Sequence, residues 1–142
     1  MPLKIIDYGS KEYKQMLDLR RQILRKPLDL DFSEDEIERE KKDLHIAALE
    51  DDEMLGCCML TQTEPKTMRL RQMAVKPGSQ YKGIGKVLMQ FAENIARDRG
   101  NKIMTMHARK TATGFYEKQG YEITGKEFEE VTIPHYVMEK EL

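Results

Sequence analysis

The residues best suited to chemistry in this chain gather around one glycine-rich segment, Gln80-Tyr81-Lys82-Gly83-Ile84-Gly85-Lys86. It opens the most regular helical pattern in the sequence, with Ile84, Val87, Leu88, Phe91 and Ile95 on one stripe. The first N–H groups of such a helix have no intrahelical partner, and the helix dipole favours negative charge there by about 0.3 to 1 kcal/mol. Gly83 and Gly85 leave the backbone bare for a phosphate to approach, and Lys82 and Lys86 add positive charge. Glycines in this spacing can also serve only to turn the chain. Two known phosphate loops do not fit. A Walker loop would need glycine at Gln80 and a hydroxyl residue at Val87, and a dinucleotide fingerprint would need glycine at Leu88.

Proton transfer would fall to histidine, whose ordinary titration lies nearest neutrality. His135 follows Ile133-Pro134, where proline interrupts strand pairing, and is the preferred proton acceptor. His107, at the end of a strand pattern, is the second choice, and a structural role is the alternative for each. His45 sits inside the apolar run Leu44 to Leu49 and reads as structural. Arg69 and Arg71 flank Leu70 on one strand and so share a face, where they either grip a substrate carboxylate or face solvent. No cluster of cysteine and histidine has metal-ligand spacing. Cys57 and Cys58 are adjacent, hence on opposite faces of any strand, and read as buried strand residues rather than a disulfide. Met68, Met73, Met104 and Met106 read as adaptable core filling.

These residues need a scaffold, and the pattern predicts one. Leu3 to Tyr8 is a strand, and Ser10 caps a helix with Tyr13, Met16, Leu17, Ile23 and Leu24 on its apolar stripe, ended by Pro27. Ser33 and Glu36 have capping-box spacing, but the segment to Asp43 offers only Phe32 and Ile37 as apolar anchors, which predicts shallow docking and mobility. Leu44 to Leu49 and Met54 to Thr61 form a hairpin that Gly56 can bulge, and Met68 to Val75 follows as a third strand. Gly100 stops the long helix; Lys102 to Ala108 is a strand, Thr111 to Gln119 a short helix, and Tyr121 to Thr124 with Val131 to Glu139 a terminal strand pair. The order predicts an α/β protein with a mixed sheet covered by helices.

The 142 residues suit one domain, 1–142, and 39% hydrophobic with 35% charged residues excludes disorder as the default. Lysine and arginine total 24 against 25 acidic residues, a balance that offers no general attraction to nucleic acid or anionic membranes. No apolar run reaches the ~20 residues of a membrane span, and Met1 to Asp7 lacks the layout of a signal peptide, so a cytoplasmic location is expected.

Val75-x-Pro77, then Gln80-x-x-Gly83-x-Gly85, then Phe115-Tyr116-Glu117-Lys118-x-Gly120-Tyr121 together resemble the GNAT superfamily of acetyl-CoA-dependent N-acetyltransferases. The resemblance implies the GNAT fold, a central mixed and largely antiparallel sheet splayed between the fourth and fifth strands and flanked by helices. It implies acetyl-CoA as cosubstrate, its pyrophosphate held by main-chain amides of Gln80, Tyr81, Lys82, Gly83, Ile84, Gly85 and Lys86. The pantetheine arm would lie along Met73, Ala74 and Val75. It makes Tyr116 the general acid that discharges the thiolate after direct attack in a ternary complex, with the tyrosine itself against the cofactor. The acceptor implied is a primary amine of a small molecule. A protein amino terminus or lysine, and a cofactor-binding sensor or interaction module with little catalysis, are the alternatives. Two positions depart from the family. Arg69 stands where histone-modifying members carry a glutamate base, and Arg109 stands where many members place an asparagine near the pantetheine, from which it would reach a cofactor phosphate. The acceptor walls are expected from the Ser10 to Asp43 helices and a Glu127 to His135 turn. A homodimer through an exposed terminal strand is a further expectation.

Overall fold

The computed structural model describes residues 2–78 and 83–142. Seven strands form one sheet in the order β1-β2-β3-β4-β5-β7-β6. β1 (Leu3–Ile6), β2 (Leu44–Glu50), β3 (Glu53–Glu64) and β4 (Thr67–Val75) make an antiparallel meander. β5 (Ile103–Arg109) lies parallel to β4, and β7 (Ile133–Glu141) and β6 (Glu122–Glu130) close the far side as an antiparallel hairpin. A parallel neighbour requires a crossover, and α3 (Ile84–Asp98) supplies it.

Both sheet faces are covered, which explains why β2 and β3 read as continuous apolar runs rather than alternating ones. One face packs Ile46, Cys58, Leu70 and Met106 beneath Leu88 and Ala92 of α3. The other packs Ala47, Cys57 and Ala74 beneath Tyr13, Met16 and Leu17 of α1 (Lys11–Arg20). The adjacent cysteines therefore do enter opposite cores, both free and buried. On α3 the buried stripe runs through Ile84, Leu88, Met89, Ala92 and Ala96, with Val87, Phe91 and Ile95 along its flank. Met68, Met104 and Met106 are buried, and Met73 is half-buried against the same core.

α1 begins as expected, with the Ser10 hydroxyl accepting from Tyr13 N–H. It continues as one wide turn, Arg21–Arg25, before a tight turn that holds Pro27. The Ser33 and Glu36 capping box is complete at α2 (Glu34–Glu38). α2 itself buries no residue, in line with shallow docking, but the segment is held firmly at both its ends. Phe32 is buried, with the guanidiniums of Arg20 and Arg25 4.6 and 4.3 Å from its ring centre, and Glu40 is buried against Arg20. The segment is anchored by a cation-aromatic stack and an ion pair, neither of which an apolar stripe would reveal. The expected turn from Glu127 to His135 is also shorter. Val131 and Thr132, both at positive φ, make the whole turn, so Glu127 to Glu130 belong to β6 and His135 to β7. α4 (Thr113–Lys118) packs beside β5.

Candidate active site

The site begins where β4 and β5 stop pairing. Their register runs from Thr67 beside Ile103 to Leu70 beside Met106 and goes no further. At that point β4 carries an extra residue opposite β3, because Arg71 faces Met59 but Ala74 faces Cys57, and Gln72 takes a left-handed φ of 55°. Such a bulge bends a strand and re-aims it, here away from β5. Lys76 donates its main-chain N–H to Leu55 of β3 at 2.8 Å. Amide direction alternates along a strand, so the main-chain groups of Val75 and Met73 turn to the open edge, while Ala74 between them faces β3.

α3 meets that edge with its N-terminus. Gly83 is the residue before the helix, at φ 66°, a conformation that glycine adopts without cost, and it has no side chain of its own to cap the first turn. The N–H groups of Ile84, Gly85 and Lys86 are thus among the helix's unpaired donors. Gly85 has a second reason to lack a side chain, because a Cβ there would lie 3.1 Å from Cζ of Phe115 on α4. The bare helix end and the free β4 edge fit an elongated anion with a polar arm. Of the expected cofactor contacts, Gln80, Tyr81 and Lys82 lie outside the described residues.

The opening between the strands is a cavity of about 310 Å³ that crosses the sheet. Tyr116 lines it from the α3 and α4 side, nearly buried, and its hydroxyl makes no hydrogen bond among the described residues. Burial, with Cys58 adding to it, pushes the phenol above its usual 10, against the pull of Arg109. The phenol is therefore a proton donor across the neutral range.

On the α1 side a polar cluster lines the same cavity. His107 Nδ1 lies 2.9 Å from the Arg69 guanidinium and 3.0 Å from Glu130 Oε1, and its ring meets Phe128 edge-on. His135 is buried, and its Nδ1 sits 2.9 Å from the Ile133 carbonyl, which fixes the proton on that nitrogen in the neutral ring. Its Nε2 then faces Glu130 Oε2 across 3.7 Å. Burial alone would raise the Glu130 carboxyl, but the hydrogen bond and charge of His107, with His135 and Arg69 behind them, hold it below its usual 4.5. Arg69 and Arg71 both line the cavity and are half-buried there. Arg109 donates to the Leu24 carbonyl at 2.6 Å, tying β5 to the wide turn after α1. His45 is structural, as expected, with Nε2 3.0 Å from the Glu40 carbonyl.

Sequence reasoning did not single out Glu130 or Arg25, although both line the cavity. Glu130 is hidden because β6 is polar at nearly every position, so no alternation marks which side chains turn inward.

A family model described as an acetyltransferase (GNAT) domain matches residues 15–142. The chain belongs to the GNAT acetyltransferase family. Among curated relatives, the uncharacterized protein YyaT of Bacillus subtilis is 38% identical over 77 residues, 54% of this chain and 51% of that protein. The chain therefore spans about half the length of that relative. The uncharacterized N-acetyltransferase YjcF of the same organism is 25% identical over 138 residues, 96% of this chain and 98% of YjcF. Solved GNAT structures agree in fold. An aminoglycoside 6'-N-acetyltransferase complexed with coenzyme A superimposes with a TM-score of 0.82 at 20% identity, covering 99% of this chain and 97% of that one. An acyl-CoA N-acyltransferase from Pseudomonas aeruginosa gives 0.82 at 18% identity and 98% coverage of both. Among the described residues no helix is long and apolar enough to cross a membrane.

Proposed function

We propose that this GNAT domain moves the acetyl group of acetyl-CoA to the primary amine of a small molecule. The observation that carries the reading is the parting of β4 from β5 after Leu70 and Met106, with a helix N-terminus at one mouth and paired proton acceptors at the other. When bound, acetyl-CoA supplies an activated acyl thioester. The amides of Gly83, Ile84, Gly85 and Lys86, with the loop of Gln80, Tyr81 and Lys82, hold its diphosphate, and the β4 edge from Met73 to Val75 aligns its arm.

The chemistry left to side chains is proton movement. His135 Nε2 and Glu130 Oε2 are two acceptors 3.7 Å apart, and either can take the proton that the attacking amine must lose. Tyr116 then donates its phenolic proton to the departing sulfur. Placing acid and acceptor on opposite faces of the opened sheet keeps them from quenching each other. A cytoplasmic setting accompanies the proposal, supported by two free cysteines within the cores.

The test is thiol release from acetyl-CoA with and without a panel of amino acids, polyamines, aminoglycosides and short peptides. Release that depends on an added small amine is the expected result. Release indifferent to every amine, or none at all, would overturn the assignment.

A further inference from the structure

We propose that Arg25 and Arg109 form a carboxylate subsite in the acceptor half of the cavity, so that the acceptor is an amine carrying a carboxylate, of amino-acid type, rather than a polycation. The identity of the occupant as acceptor rests on the acetyl-transfer reading above.

Both guanidiniums line the cavity. Arg25 is only 9% exposed, yet among the described residues its hydrogen bonding amounts to one long contact, Nη1 to the Leu24 carbonyl at 3.4 Å. Arg109 donates to that same carbonyl at 2.6 Å. Two cations thus converge on one neutral oxygen, and among the described residues no carboxylate lies within 4.0 Å of either. The contrast with Arg20 is direct. Arg20 and Arg25 both pack on the ring of Phe32, but Arg20 is met by both oxygens of Glu40 at 2.7 and 2.6 Å. Burying a charge costs several kcal/mol unless a partner compensates. Arg20 has that partner in contact, whereas Arg25 feels the charges of Glu36 and Glu130 only from beyond contact distance, and burial outweighs them.

The cavity's own acids do not fill the role. Glu36 has its Oε1 held by the Ser33 backbone and hydroxyl in the capping box at 3.2 Å and does not reach contact with Arg25, and Glu130 faces His107, His135 and Arg69. Arg69 and Arg71 line the same cavity but are met by Glu130 at 4.0 Å and Asp43 at 3.9 Å, which leaves Arg25 and Arg109 as the cavity's arginines without a carboxylate in contact among the described residues. A polycationic acceptor would be repelled from this wall. An amino acid fits both ends, its carboxylate in the planar forks of Arg25 and Arg109 and its amine toward Glu130 and His135.

The experiment uses matched sets, glutamate, phenylalanine and lysine, each as free acid, carboxamide and decarboxylated amine. Two readouts are taken, thiol release and thermal stabilisation of the CoA-saturated protein. The free acid of at least one set should exceed its two relatives by roughly tenfold to a hundredfold in kcat/KM, the weight of a charge-assisted hydrogen bond. Arg25→Gln should narrow that gap at least tenfold, through KM, with Arg25→Lys between. Carboxamides or decarboxylated amines that match the free acids in the wild-type protein overturn the subsite while leaving transfer intact. Stabilisation by free acids alone without thiol release keeps the subsite and removes transfer. Free acids that neither react nor stabilise overturn the subsite.

Discussion

Arg20 and Glu40 pair through two hydrogen bonds, 2.7 and 2.6 Å long, deep in the layer between α1 and the sheet, and Tyr13 adds a third at 2.9 Å. Burial by itself would raise the Glu40 carboxyl, but the Arg20 fork and the Tyr13 hydroxyl outweigh it and hold the group below its usual 4.5. A carboxyl depressed in the folded state stabilises the fold fully above its unfolded value and loses that contribution as pH falls through the folded one. We expect Glu40→Ala to cost about 3 to 5 kcal/mol, because it strands a buried guanidinium. Thermal denaturation at neutral pH should show it as a fall in Tm of about 10 to 17 °C. Glu40→Gln should flatten the decline of Tm below pH 4.5 relative to the wild type. A variant with wild-type Tm and slope would show that the pair contributes nothing.

The same pair marks where the sequence stops being readable. The strands, the long helix and the glycine-rich loop are written in period and turn chemistry, and so is the cap at Ser10, because each is a local matter of neighbours along the chain. Glu40 looks like one charge among many in Glu38-Arg39-Glu40-Lys41-Lys42, and nothing local separates it from its exposed neighbours. Glu130 and Arg25 are hidden for the same reason, since each acquires its role from partners brought close by the fold. Tyr116 was legible only through its motif. His135 was legible through proline, and its partner was not.

Gly56 lies under α3, where an added Cβ would sit 2.8 Å from Ile84 Cγ2, 3.0 Å from Leu88 Cδ1 and 3.3 Å from the Ala74 carbonyl. Two of these neighbours are fully buried side chains, so there is no slack to absorb the methyl. Overpacking of this kind costs about 1 to 3 kcal/mol. Gly56→Ala should lower Tm by several degrees and, because Ile84 begins α3, weaken CoA binding measured by calorimetry. Loss of stability with unaltered CoA affinity would show that the helix end is positioned independently of β3.

Tyr116 is expected to matter for the rate and little for cofactor affinity. Its phenol is held above its usual 10 by burial first and by Cys58 second, so it keeps its proton throughout the neutral and mildly alkaline range. Tyr116→Phe keeps the ring that packs near Phe115 and Tyr121 and removes only the donor. Turnover should fall by about 10²- to 10⁴-fold, the usual range of acid catalysis, with KM for acetyl-CoA nearly constant. An unaltered kcat would take Tyr116 out of the proton path.

The proton acceptor can be assigned from pH profiles of kcat/KM, because Glu130 and His135 predict different outcomes. Glu130 is held ionised below its usual 4.5, chiefly against burial by the His107 hydrogen bond, so its charge faces His135 Nε2 across 3.7 Å at any working pH. If His135 takes the proton, His135→Gln should lower the plateau and erase the acidic limb, whereas Glu130→Gln should leave a limb in place. If Glu130 takes it, the assignments reverse: Glu130→Gln erases the limb, and His135→Gln leaves one below pH 4.5. The geometry favours the first result. The His135 Nδ1 proton is spent on the Ile133 carbonyl at 2.9 Å, which leaves the Nε2 lone pair to accept, whereas one Glu130 oxygen is already engaged by His107 at 3.0 Å. Profiles that superimpose for wild type and both variants would place the acceptor elsewhere and leave this cluster a structural one.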